Sequence, residues 1–170
     1  MAAGSTYTPI ATTTLGSAAN SYTFTSISGS YTDLVLVASV QGSTAAQNLL
    51  CQVGNGSVDT ATNYSSTWVT GNGSAASSSR LSSRVSASLD SAGYPPISGS
   101  YNIVTVNFQN YSNTTTNKTF IARSSSAPTG TDAVVSLWRS TAAINTIKIY
   151  LLSNNLAVGT TFTLYGIAAA

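Results

Sequence analysis

Histidine and glutamate are both absent from this sequence, and cysteine and methionine occur once each. Each absence removes a chemistry. Without histidine there is no imidazole base, no Ser–His–Asp triad and no His-ligated metal. A lone cysteine, Cys51, permits no disulfide framework, no CxxC redox pair and no cysteine-based zinc centre. It lies in the apolar run Leu49-Leu50-Cys51-Gln52-Val53 with no cation nearby to lower its pKa, so it reads as a small buried hydrophobe. Charge is scarce: 6% of the 170 residues are charged and the net charge is +2. No Lys/Arg run or basic stripe with interleaved aromatics offers the several phosphate contacts a nucleic-acid groove needs, so no nucleic-acid partner is expected. No apolar stretch reaches the roughly 18 residues of a membrane span, and no membrane partner is expected. The start, Met1-Ala2-Ala3-Gly4-Ser5, lacks the basic stretch and apolar core of a secretory signal, which implies synthesis in a cytoplasm without a signal peptide.

The four carboxylates, Asp33, Asp59, Asp90 and Asp132, are far apart in sequence. Asp33, Asp90 and Asp132 flank expected strands, where Asp normally caps turns by accepting from backbone N–H groups. A pair could meet in the fold as acid and base or as calcium ligands, but no DxDxDG-like loop supports it. No cofactor, no metal and no catalytic residue are expected, and the chain reads as a non-enzyme.

What is present is hydroxyl. Serine (29) and threonine (25) make up about a third of the chain. Helix formers are few, while β-branched and aromatic residues, including nine Tyr, fall into short runs broken by Gly, Asn, Ser and Pro. Alternation is clear in several of them. Val104, Val106 and Phe108 share one face of 102–108. Ile147, Ile149 and Leu151 share one face of 146–152 with Lys148 opposite. Phe162 and Leu164 oppose Thr161, Thr163 and Tyr165. In the strand expected at 133–139, Trp138 and Leu137 take opposite faces. The continuous run Leu34–Ala38 reads as a strand covered on both faces. Leu81, Val85, Ala87 and Leu89 fall at odd positions, predicting one half-buried strand that carries Arg80 and Arg84 on its other side. Gly71–Ser74 and Gly93–Pro96 read as loops. About ten strands without helical crossovers predict an all-β protein, an antiparallel β-sandwich resembling a jelly roll. Residues 1–14 form an N-terminal arm and first strand, and 15–170 a single β-sandwich domain. Hydroxyl-covered outer faces suit lateral packing into a larger object, because few charges need desolvating at contacts.

Several stretches carry a resemblance. They are Ile10-Ala11-Thr12-Thr13-Thr14-Leu15-Gly16-Ser17-Ala18-Ala19, Tyr22-Thr23-Phe24-Thr25-Ser26-Ile27, Tyr31-Thr32-Asp33-Leu34-Val35-Leu36, Asn63-Tyr64-Ser65 and Asn110-Tyr111-Ser112-Asn113-Thr114-Thr115. To these are added Leu137-Trp138-Arg139-Ser140-Thr141-Ala142-Ala143-Ile144-Asn145-Thr146-Ile147 and Phe162-Thr163-Leu164-Tyr165-Gly166-Ile167. Together they resemble a small β-domain of tailed-bacteriophage virions, similar to capsid decoration (cement) proteins. The resemblance implies a structural role on the outer surface of a capsid, as a homotrimer bound to the major capsid protein. The alternative it leaves open is a tail-fibre or head-fibre tip that binds host-surface glycan through exposed Tyr64, Trp68 or Tyr111. The absence of a Gly-x-y repeat or heptad run favours decoration. Expected contacts are Tyr7, Pro9 and Ile10 of the arm, because a terminus free of the core can reach a neighbour. Arg80, Arg84 and Tyr94 are the others, the two arginines because they are expected to point one way.

Overall fold

The computed structural model describes residues 6–44, 48–91 and 99–168. Its elements in chain order are β1 (Tyr7–Thr14), β2 (Ser21–Phe24), β3 (Asp33–Val40), β4 (Leu49–Asn55), β5 (Ser57–Val58) and β6 (Tyr64–Gly71). There follow β7 (Ala76–Arg84), β8 (Ala87–Ser88), β9 (Asn102–Phe108), β10 (Lys118–Ser126), β11 (Gly130–Trp138), β12 (Thr146–Leu151) and β13 (Thr161–Ile167). All pairings among these strands are antiparallel. The protein is an all-β sandwich of an eight-stranded and a five-stranded sheet.

The strand order is informative. One sheet contains the succession β1-β13-β3-β9 and the other β2-β12-β4-β5. The chain alternates between sheets from β1 to β4, stays in the smaller sheet for the β4–β5 hairpin, returns for β9, then enters β12 and β13. That path is the jelly-roll order. Two hairpins extend it. β10–β11 and β6–β7 continue the larger sheet beyond β9, in the order β9-β10-β11-β6-β7. After β7 the chain comes back to the smaller sheet as β8, which pairs with β4 at Leu50 and Cys51, while β5 pairs with it at Gly54 and Asn55. The edge of β4 is thus completed by two short strands, with the β6–β7 hairpin inserted between them.

The expected alternation holds in β9, β11, β12 and β13. Val104, Val106, Phe108, Ile147, Ile149, Leu151, Phe162 and Leu164 all face the core. Apolar burial of these side chains is the main favourable term holding the sheets together. Aromatic contacts fix the packing: Tyr22 stacks on Phe162 at 5.5 Å and meets Phe24 edge-on, and Phe108 lies against Phe120. Tyr64 is wholly buried and its hydroxyl bridges from β6 to β4, accepting from Val53 N–H and donating toward Val53 or Asp59 carbonyls.

Two strand expectations need correction. The run Leu34–Ala38 is not covered on both faces, because Val37 in β3 is 39% exposed on the open side of the larger sheet. The strand buried on both faces is β4, from Leu49 to Gly54. The odd-numbered series Leu81 to Leu89 is not one strand either. β7 ends at Arg84 as an exposed sheet edge, Val85 is exposed, and Ala87 and Leu89 are buried beneath the other sheet.

Candidate interaction surface

The outward faces of β6, β11 and β10 carry exposed apolar side chains among hydroxyl-bearing ones. The ladders pair Val69 with Ala133, Thr67 with Val135 and Val135 with Ile121. These are same-face neighbours at about 5 Å between Cβ atoms. Val69 is 53%, Val135 44% and Ile121 40% exposed. With Trp68, Thr67 and Ser78 they line a shallow, almost wholly apolar depression of about 350 Å³. A second depression of about 390 Å³ adjoins it along the same strands, where Arg123 stands among Thr131, Ala133 and Ala76.

Of the described contact residues named from sequence, Arg80 reaches this face, and Tyr7, Pro9, Ile10 and Arg84 do not. Tyr7, Pro9 and Ile10 belong to β1, which is the opposite edge of the larger sheet and pairs with β13 along its length. The described part of the N-terminal stretch is therefore a sheet strand and not a free arm. Tyr7 is exposed and packs edge-on against Tyr165 at 6.0 Å, Pro9 is exposed, and Ile10 is packed against the core at a bulge between Pro9 and Ala11. Arg80 and Arg84 do not point one way. β7 shifts register between its pairings at Ser66 and Tyr64, and Ser83 there has φ 53°. That bulge turns the strand over. Arg80 pairs with Thr67 and lines the outer face beside Thr119 and Val135, whereas Arg84 pairs with Tyr64 and lines a cleft with Leu50, Leu81 and Tyr150. Tyr94 lies outside the described residues. The aromatics proposed as sugar platforms are not exposed ones: Tyr64 and Tyr111 are fully buried, and Trp68 is packed against the core.

Few titratable groups are free to act on a substrate. Cys51 is fully buried, and desolvation raises its thiol pKa far above the ordinary range. Asp33 accepts from Asn110 N–H at 2.6 Å, a donor 77 residues away at the end of the β3–β9 pairing and not the nearby turn amide expected from sequence. Asp59 accepts from Ala61 N–H, Asn63 Nδ2 and Trp138 Nε1. Burial alone would raise its carboxyl, but these donors win and hold it below the usual carboxylate range. Asp90 is fully buried, and desolvation first, then the neighbouring Asp132, push it well above that range. Three of the six cations are used internally. Lys118, nearly buried, donates to the carbonyls of Thr116 and Thr141, and desolvation lowers its pKa. Arg139 donates to Asn63 O and Ser65 Oγ, and Lys148 Nζ lies 5.1 Å from the centre of the Tyr150 ring. Arg80, Arg84 and Arg123 are exposed. Among the described residues, no group of three or more His, Cys, Asp or Glu side chains comes together, and no helix is long and apolar enough to cross a membrane.

Sequence reasoning missed Val69, Ile121 and Val135. Their signal was present but ambiguous, since an apolar residue on a strand reads alike whether it faces in or out. Only the inward assignment of Phe120, Ala122 and Val134 shows that Ile121 and Val135 must face outward. Comparison with protein-family models and with curated protein sequences finds no match.

Proposed function

We propose that this chain is a structural, non-enzymatic protein that works by lateral contact, as a homotrimeric decoration protein on the outer surface of a tailed-phage capsid, bound to the major capsid protein. The observation that carries this reading is the outer face of β6, β10 and β11. It presents Val69, Ile121 and Val135 among threonine, serine and alanine, with Arg80 and Arg123 at its margins. Contacts on such a face desolvate few charges, and exposed contiguous apolar surface is the usual mark of a protein-binding site. The sequence resemblance supplies the phage setting and the trimer. The glycan-binding alternative has less support, because the aromatics it invoked are buried or packed against the core.

The test is made on capsids assembled with and without the protein, beside native mass measurement of the free chain. Shells carrying hundreds of copies should withstand higher temperature than bare shells, and the V135D variant should fold yet fail to bind them. Equal thermal stability of decorated and bare shells would overturn the cementing role.

A further inference from the structure

Four buried oxygens on the inner face of the sandwich, from Thr70, Asp132, Ser124 and Asp90, have no hydrogen-bond donors. Thr70 on β6, Asp132 on β11 and Ser124 on β10 are successive cross-strand partners in one row. All three side chains are more than nine-tenths buried. Same-face neighbours in such a row stand about 5 Å apart at Cβ. Asp90, from the segment just after β8, comes down on this row. The Ser91 N–H donates to Asp132 Oδ2 at 2.9 Å, and the Leu49 N–H donates to Asp90 Oδ1 at 3.0 Å. The other halves of these groups, Asp90 Oδ2, Asp132 Oδ1, Thr70 Oγ1 and Ser124 Oγ, are sealed from solvent and meet no hydrogen-bond partner.

Buried carboxylates are normally paired with a cation or coordinated to a metal. None of the Lys and Arg side chains pairs with either carboxyl: Lys118, Arg139 and Lys148 are engaged elsewhere, and Arg80, Arg84 and Arg123 are exposed. Arg123 is next to Ser124 in sequence but exposed, on the alternate face of β10. The two carboxyls feel each other as charges and make no hydrogen bond to one another among their described contacts. An aspartate in mid-strand is also against β propensity, so position 132 calls for a specific reason.

We propose that Asp90, Asp132, Thr70 and Ser124 form a binding site for one calcium-class divalent cation. On binding, the ion displaces the proton that burial favours on Asp90. The two carboxylates then balance the charge, and the donor set is all oxygen, with no nitrogen or sulfur to select zinc or copper. Calcium accepts irregular mixtures of carboxylate, hydroxyl and carbonyl oxygens, with backbone carbonyl or water completing six to eight ligands, whereas magnesium demands octahedral geometry and retains several waters. The ion would tie β6, β10 and β11 of the larger sheet to the segment following β8, which belongs to the smaller one. It acts as a clamp between sheets, independently of what the outer face binds.

The experiment uses the purified full chain, dialysed against EDTA and then into metal-free buffer, and followed by calorimetry with added CaCl2 or MgCl2. Calcium should bind at one ion per chain and raise the melting temperature by about 5–10 °C at roughly a hundredfold excess over Kd. Magnesium at equal concentration should do much less. Asp132→Asn should abolish the calcium response. Thr70→Val, which exchanges an unpartnered buried hydroxyl for a methyl, should fold with an undiminished metal-free melting temperature and bind calcium roughly tenfold or more weakly. An EDTA-treated wild-type chain that neither binds calcium stoichiometrically nor melts higher with it would overturn the proposal, as would a full calcium response in Asp132→Asn.

Discussion

Asp59 is held by three donors at once, Ala61 N–H and Asn63 Nδ2 at 2.8 Å and Trp138 Nε1 at 2.7 Å, so a part-exposed loop residue ties β5, β6 and β11 together. Its folded pKa lies below the ordinary 3.8. A carboxyl with a depressed folded value contributes stability that is present above the unfolded value and is lost as pH falls through the folded one. Urea unfolding of wild type and D59N at pH 7 and pH 3 should therefore show a difference of about 1 kcal/mol at neutral pH that shrinks in acid. A difference independent of pH would mean that the ionised carboxylate is not what holds the loop.

At the scale of the element, β7 depends on one strained residue. Ser83 sits at φ 53° where the strand slips register, and a non-glycine residue in the left-handed region costs roughly 1–2 kcal/mol. S83G should raise stability by about 0.5–1 kcal/mol, the relief being partly offset by the greater freedom of glycine when unfolded. S82G, one residue earlier, should lower it. Urea midpoints for the pair give the answer, and a destabilised S83G would show that the left-handed bulge is not what sets the strand. The same bulge explains why this region was illegible in the sequence. Leu81, Ala87 and Leu89 keep phase in the numbering, but a slip of register and a change of sheet come between them, and neither leaves a mark in a serine-rich stretch. Strands with one-sided apolar alternation, such as β9, β12 and β13, were legible because phase and burial agree. Serine conveys no sidedness: Ser66 and Ser136 face inward and bond each other at 2.8 Å, while Ser77 and Ser78 are exposed. The outer apolar face was illegible for a related reason, since Ile121 and Val135 acquire their exposure only from the pairing of β10 with β11. Asp90 and Asp132 become neighbours only because β8 returns to the smaller sheet after the inserted hairpin.

At the scale of the whole molecule, the jelly roll is the frame and the β6–β7 and β10–β11 hairpins are the additions that create its broad outer face. That face is hydroxyl and aliphatic, and the arginines do not form a stripe on it. Arg80 and Arg123 stand at its borders, and Arg84 is turned into a cleft facing Tyr150. Association through apolar and neutral polar groups is little screened by salt, whereas association steered by exposed charge weakens steeply as the Debye length shrinks. Binding to the partner surface should then change by no more than about threefold between roughly 0.05 and 0.5 M NaCl, measured on capsids or between copies of the chain. I121D and V135D should each weaken it by at least tenfold, about 1.4 kcal/mol, while R80A should alter it by less than threefold. The opposite pattern, a steep salt dependence with strong loss in R80A or R123A, would move the contact from the aliphatic face to its charged margin, and the outer-face assignment would then be wrong.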